Sequence, residues 1–355
     1  MILKNSLLYS LEHILNLVFI LHRFLLQDYL LGGVGLFLLL SSSLTAQIFA
    51  TRAHTHIYPV QRTGCAGLAK KLKIFLRMSP FLQIFGVYRC NMKNQGLRHY
   101  LYYRLALTHY VSHMLEALPF VILRLSQSTN LGTISHLVAT APVLLNIAGV
   151  ITATLDWEKC KRYKNQSSYD TTLMLEWCCL RINVQSVVRF LIYTLMIVAR
   201  SLSLFILFYA LEWAEPGLPF LVYGGHFTLM LFLFMTMWLK NDTLSLVNFL
   251  KTIVLSFNAT FFNQLDCFLQ IPFKLHFVAP YLINTASVIT IVVLHVLFEP
   301  NSQHFHAVEA MMGYCAIAMY LFAGVFVLLY KKWICPDVLK CQVNWKFDKS
   351  TLTEV

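Results

Sequence analysis

Apolar residues run along this chain in long blocks, and the polar residues gather in the gaps between them. The blocks lie at about 6–27, 30–50, 74–88, 105–126, 133–155, 187–211, 218–238, 246–265, 277–298 and 309–330. A helix needs about 20 apolar residues to cross the hydrocarbon core of a bilayer. The block at 74–88 is short, and Pro80 interrupts it.

The gaps fix which side each block end lies on. Residues 51–73 carry Arg52, Arg62, Lys70, Lys71 and Lys73, and residues 89–104 carry Arg89, Lys93, Arg98 and Arg104. Residues 156–189 and the tail after 330 are basic as well. Basic gaps face the cytosol. Residues 127–132 are uncharged, 212–217 carry Glu212 and Glu215, and 299–308 carry Glu299 without Lys or Arg, so these face outward.

The block at 74–88 has a basic gap on each side, so it cannot cross and keep both inside. It reads as a re-entrant helix, a shape tolerated only where protein or a wet cavity covers the backbone. The same parity argument makes 246–265 re-entrant. The expected fold is therefore all-α and polytopic, with eight transmembrane helices and two re-entrant helices in two pseudo-symmetric repeats. Residues 1–155 form the first repeat, 156–186 a basic cytosolic linker, 187–330 the second repeat and 331–355 a short cytosolic tail. Both termini are cytosolic in this reading. The two dips share wording, "PFLQIF" with Pro80 and "FLQIPF" with Pro272. The sequons at Asn165, Asn241 and Asn258 avoid the predicted outer loops. Repeats of this kind are common in transporter-like proteins.

Composition agrees. Of 355 residues, 58% are hydrophobic and 12% charged, against roughly a quarter charged in soluble domains. The net charge of +12 follows from the cytosolic gaps and does not point to nucleic acid. "MILKNSLLYSLEHILNLVFILHRF" lacks a small-residue cleavage site and reads as a retained first span. The nine cysteines read as reduced thiols, with Cys178, Cys179 and Cys335 near helix ends where S-palmitoylation occurs. "AHTHIY" at 53–58 lacks the four ligands of a structural metal site. No nucleophile–base or paired-carboxylate arrangement stands out, so the chain is not expected to be an enzyme or to hold a cofactor or metal.

Polar residues at membrane depth carry the candidate chemistry. Glu116, followed by Pro119, is mid-block in 105–126, and Arg200 is mid-block in 187–211. Asn146, Asn284 and His295 lie within later blocks, and Glu12, His13 and Asn16 within the first. Intramembrane ionisable groups face the bundle interior and find partners. Arg200 is the candidate counter-charge for Glu116. Two readings stand: a polar track through the bundle, or a buried pair that fixes helix register. For Asn146, Asn284 and His295, interhelical hydrogen bonding is the favoured reading.

Several segments carry a resemblance. Glu116-Ala-Leu-Pro119-Phe120 resembles a Glu-x-x-Pro-Gln-Leu pattern of the XK-related family. "SLTAQIF" at 43–49, with Gln47, resembles that family's second span, and "SPFLQIFGVYR" at 79–89 its first re-entrant segment. "IVARSLSLFILF" at 197–208 resembles its Glu-Ile-Ala-x-Arg helix, and "MMGYCAIAMYLF" at 311–322, with Gly313-Tyr314, its last span. The resemblance covers nearly the whole chain. It departs where Phe120 replaces a glutamine, Met196 a glutamate, Gln83 an arginine, and Asn284-Thr-Ala-Ser287-Val288 an Arg-Phe-x-Glu-Asn run.

The resemblance implies a plasma-membrane phospholipid scramblase that moves lipids such as phosphatidylserine without ATP, weakened by the lost charges. Glu116, Arg200, Gln47, Asn146, Asn284 and His295 would be its lipid-path or buried polar residues. Pro119, Pro80, Pro272, Gly313 and Tyr314 would be structural motif positions. Asp337 and Asp348 do not end a caspase-like tetrapeptide, so no caspase switch is expected. The alternatives are a non-catalytic partner subunit or scaffold for another membrane or lipid-transfer protein, and a small-solute transporter. Thr353-Glu354-Val355 fits a C-terminal PDZ ligand.

Overall fold

Lipid leaves no water for unpaired backbone groups, so long apolar blocks are expected to close their hydrogen bonds within helices. They do. This computed structural model describes residues 2–57, 64–77, 83, 95–125, 133–165, 174–177, 180–214, 217–241, 246–263, 265, 277–298 and 305–334. The helices are α1 (Ile2–Leu25), α2 (Tyr29–Ile57), α3 (Gly64–Arg77), α4 (Gln95–Leu115), α5 (Ala117–Leu125) and α6 (Thr133–Asn165). After them come α7 (Val184–Ala214), α8 (Leu218–Asn241), α9 (Leu246–Phe261), α10 (Ala279–Phe298) and α11 (Phe305–Leu329), then a π-helical turn at Tyr330–Ile334.

Seven segments among the described residues are long and apolar enough to cross a membrane: Leu7–Leu25, Tyr29–Arg52, Tyr103–Arg124, Ser186–Phe208, Pro219–Thr236, Ala279–Val296 and Ala310–Lys332. The chain is a multi-pass, helical membrane protein. The eighth expected span, 133–155, falls in α6, whose side chains are described only from Ala141 to Glu158. The first expected dip lies outside the described residues beyond Arg77, apart from Gln83; Pro80 and Pro272 lie outside them too. At the second, α9 has 16 residues. At 1.5 Å per residue it spans about 24 Å, less than a bilayer core of about 30 Å.

The all-α class holds, with one short element of another kind in the described part of the linker. The linker holds an antiparallel hairpin, β1 (Met174–Trp177) and β2 (Leu180–Asn183), with Met174 opposite Asn183 and Trp177 opposite Leu180. Strands of four residues are too short to register as apolar blocks.

The turn between α1 and α2 is built by Asp28. Its Oδ1 accepts from the Leu31 N–H at 3.2 Å, which caps α2. Gln27 takes a left-handed φ of 60° to make the turn.

The chain divides into two compact units. One joins the described parts of Met1–Ala117 and Thr152–Tyr169, and the other those of Leu118–Ile151 and Asp170–Cys341. In the first, α2 packs on α1, α3 and α4. In the second, α7 packs on α11, α10, α9 and α8, and α9 also packs on α8. Many side chains on the spans, such as Phe37, Phe232 and Phe322, point away from the protein, as lipid contact requires. Gly313 lets α11 approach closely: a Cβ there would lie 3.0 Å from both Val292 methyls.

Candidate functional site

Pro119 explains the geometry around Glu116. It has no N–H for the carbonyl four residues back, that of Leu115. The helix breaks there: α4 ends at Leu115 and α5 begins at Ala117, with Glu116 in the turn between. The Glu116 N–H still donates to the Ser112 carbonyl at 2.8 Å.

The Glu116 side chain is 3% exposed, and donors surround it. His13 Nδ1 is 3.0 Å from Oε1 and 3.3 Å from Oε2. Asn16 Nδ2 donates to Oε1 at 3.1 Å, and Ser42 Oγ is 3.3 Å from Oε2. Beside this group, His113 Nε2 lies 2.8 Å from Glu12 Oε2. Tyr9 stacks on His109, with ring centroids 4.9 Å apart.

The partners of Glu116 thus lie within the first unit, where His13 takes the place expected of Arg200. The source of this arrangement is a shared spacing. Tyr9, Glu12, His13 and Asn16 on α1, and His109, Ser112 and His113 on α4 with Glu116 in the turn that ends it, each sit at i, i+3, i+4 and i+7. Such residues share one helix face, so each helix carries a polar stripe. The stripes meet through His13–Glu116 and Glu12–His113.

Arg200 lies in the second unit and is 1% exposed. Its Nε donates to the Thr260 carbonyl at 2.9 Å and its Nη1 to Ser287 Oγ at 3.0 Å. Tyr223 Oη lies 3.1 Å from Thr260 Oγ1. His226 Nε2 lies 2.8 Å from Asn284 Oδ1, and Asn284 Nδ2 donates to the Ala259 carbonyl at 2.5 Å. This network joins α7, α8, α9 and α10. Its members Tyr223, His226 and Ser287 are half-exposed.

The remaining sequence candidates are dispersed. Gln47 Nε2 donates to the Phe75 carbonyl at 2.6 Å, tying α2 to α3. Asn146 in α6 and His295 in α10 are buried. Tyr314 is 60% exposed, so it is a surface position. Gln83 Nε2 donates to Thr108 Oγ1 at 3.1 Å.

No protein-family model matches this chain, and no curated protein matches it.

Proposed function

We propose that this chain is a divergent, XK-related-like phospholipid scramblase of the plasma membrane, moving lipids such as phosphatidylserine between leaflets without ATP. The observation that carries the reading is the polar network of the second unit, which runs from buried Arg200 to half-exposed Tyr223, His226 and Ser287. Polar side chains on membrane helices are costly and mark the paths of polar cargo. A zwitterionic or anionic headgroup can exchange hydrogen bonds along such a ladder while its acyl chains stay in lipid. The motif resemblance supports the same class, and the short α9 supports the re-entrant helix of that architecture with cytosolic termini. Glu116 and Arg200 are too enclosed to line a headgroup path, so in this reading they brace the helices that border it.

A second reading has its own support. Glu116 is satisfied in place by three side chains, as a group that only holds helices together would be. This favours a non-catalytic partner subunit. Reconstitution into liposomes with labelled phospholipid and no ATP tests the choice: label moves between leaflets for a scramblase and stays put for a scaffold.

A further inference from the structure

The first unit holds two carboxylate–imidazole pairs side by side, and they are not alike. Both oxygens of Glu116 lie within reach of His13, Asn16 donates to Oε1, and the Ser42 hydroxyl is shared between Oε2 and the Leu39 carbonyl. That shell suits a carboxylate. Glu12 differs: its Oε2 lies 2.8 Å from His113 Nε2 as an ion-pair contact that does not meet hydrogen-bond geometry, while its Oε1 is buried with no hydrogen-bond partner among the described residues.

The orientation of His113 fixes the proton count. Its Nδ1 lies 2.6 Å from the His109 carbonyl oxygen. A carbonyl can only accept, so Nδ1 carries a hydrogen. Nε2 then either bears a second hydrogen or presents a lone pair to Glu12. A lone pair 2.8 Å from an ionised carboxylate is repulsive. The pair therefore already holds one proton beyond a neutral imidazole and a carboxylate, placed on Nε2 of the more basic imidazole, so Glu12 is a carboxylate before loading. Glu12 Oε1 still has lone pairs that no described group occupies.

A small cavity touches His113, one member of this pair, and does not touch Glu12. The cavity, of about 10 Å³, is lined by His109, His113 and Asp156, with Ala106, Thr152 and Ala153. That is room for about one water molecule. Asp156 on α6 is half-exposed, and the buried His109 Nε2 has no hydrogen-bond partner among the described residues.

We propose that Glu12 and His113 form a proton-binding site within the membrane, loaded through the water-sized cavity beside Asp156, with the hydrogen-bonded Glu116 next to it. The incoming proton comes from water, goes to Glu12 Oε1 and leaves by the same path; no bond between heavy atoms changes. The titratable groups around the pair are Tyr9 and His13 on α1, His109 on α4, Glu116 in the turn after it, and Asp156 on α6, while α2 contributes the neutral Ser42. Chains of carboxylates and histidines of this kind serve as proton relays in membrane proteins. The site does not depend on lipid scrambling, and its test reads protons alone.

The test is infrared difference spectroscopy of the full-length protein in nanodiscs, between about pH 8 and about pH 5, the range in which histidine-linked sites titrate. Acidification should add the C=O band of a buried carboxylic acid in the wild type, and Glu12→Gln should lose it. No added band in the wild type, or the same band in Glu12→Gln, overturns the site. Should Glu12→Gln fail to fold, His113→Gln decides, because it must move the midpoint of the band; an unmoved midpoint overturns the pairing. After a pH jump, Asp156→Asn should slow the appearance of the band several-fold, and an unchanged rate overturns the entry route.

Discussion

The imidazole Nδ1 of His13 lies 3.0 Å from Oε1 of Glu116, across 103 residues of sequence. This contact brings α1 onto the proline-broken turn after α4. It gives a mid-membrane carboxylate a partner inside its own unit.

Removing one side of this contact leaves the other buried and unmatched. Glu116→Ala should destabilise the solubilised protein by about 3–5 kcal/mol, the cost of breaking a buried pair. Glu116→Gln, which keeps an acceptor for Asn16, should cost about 1–3 kcal/mol. Thermal unfolding in detergent reads both, and equal losses would show that the acceptor kept by Gln contributes nothing and that the charge carries the whole effect.

Arg200 holds α9 and α10 with two separate nitrogens of one planar group. A lysine ammonium cannot reproduce that fork. Arg200→Lys should therefore cost about 1–3 kcal/mol in stability, the penalty for a buried group left unsatisfied. Preserving the charge should not rescue it, and a thermal midpoint equal to wild type would refute the two-point role.

Gly313→Ala places a methyl 3.0 Å from both Val292 methyls and 3.5 Å from Ile206 Cδ1. Overpacking of this kind costs about 1–3 kcal/mol. Gly313→Ala combined with Val292→Ala should recover part of the loss in the same unfolding assay. Independent, additive losses would mean that the two positions do not share the contact.

Much of the membrane architecture was legible from apolar block length, because lipid imposes both helix and span length on any such block. The hairpin at 174–183 was not, since four-residue strands leave no block. The break at Glu116 was half legible: Pro119 announced it, but the direction in which Glu116 then points depends on packing. The partner of Glu116 was missed because the sequence reading weighed formal charges, and histidine counts as neutral among them. The repeated spacing of 9, 12, 13, 16 and 109, 112, 113, 116 was present in the sequence. Two polar stripes of equal spacing on separate spans are a signal that they face one another. Which spans are neighbours is set by tertiary packing, and no local pattern states it.

The central functional claim is passive lipid movement, and dithionite bleaching of labelled phospholipid in reconstituted liposomes tests it most directly. Without ATP, liposomes holding the wild-type protein should lose label from both leaflets, while protein-free liposomes lose only the outer-leaflet label. Bleaching confined to the outer leaflet in both, with a known scramblase active under the same conditions, would contradict the claim.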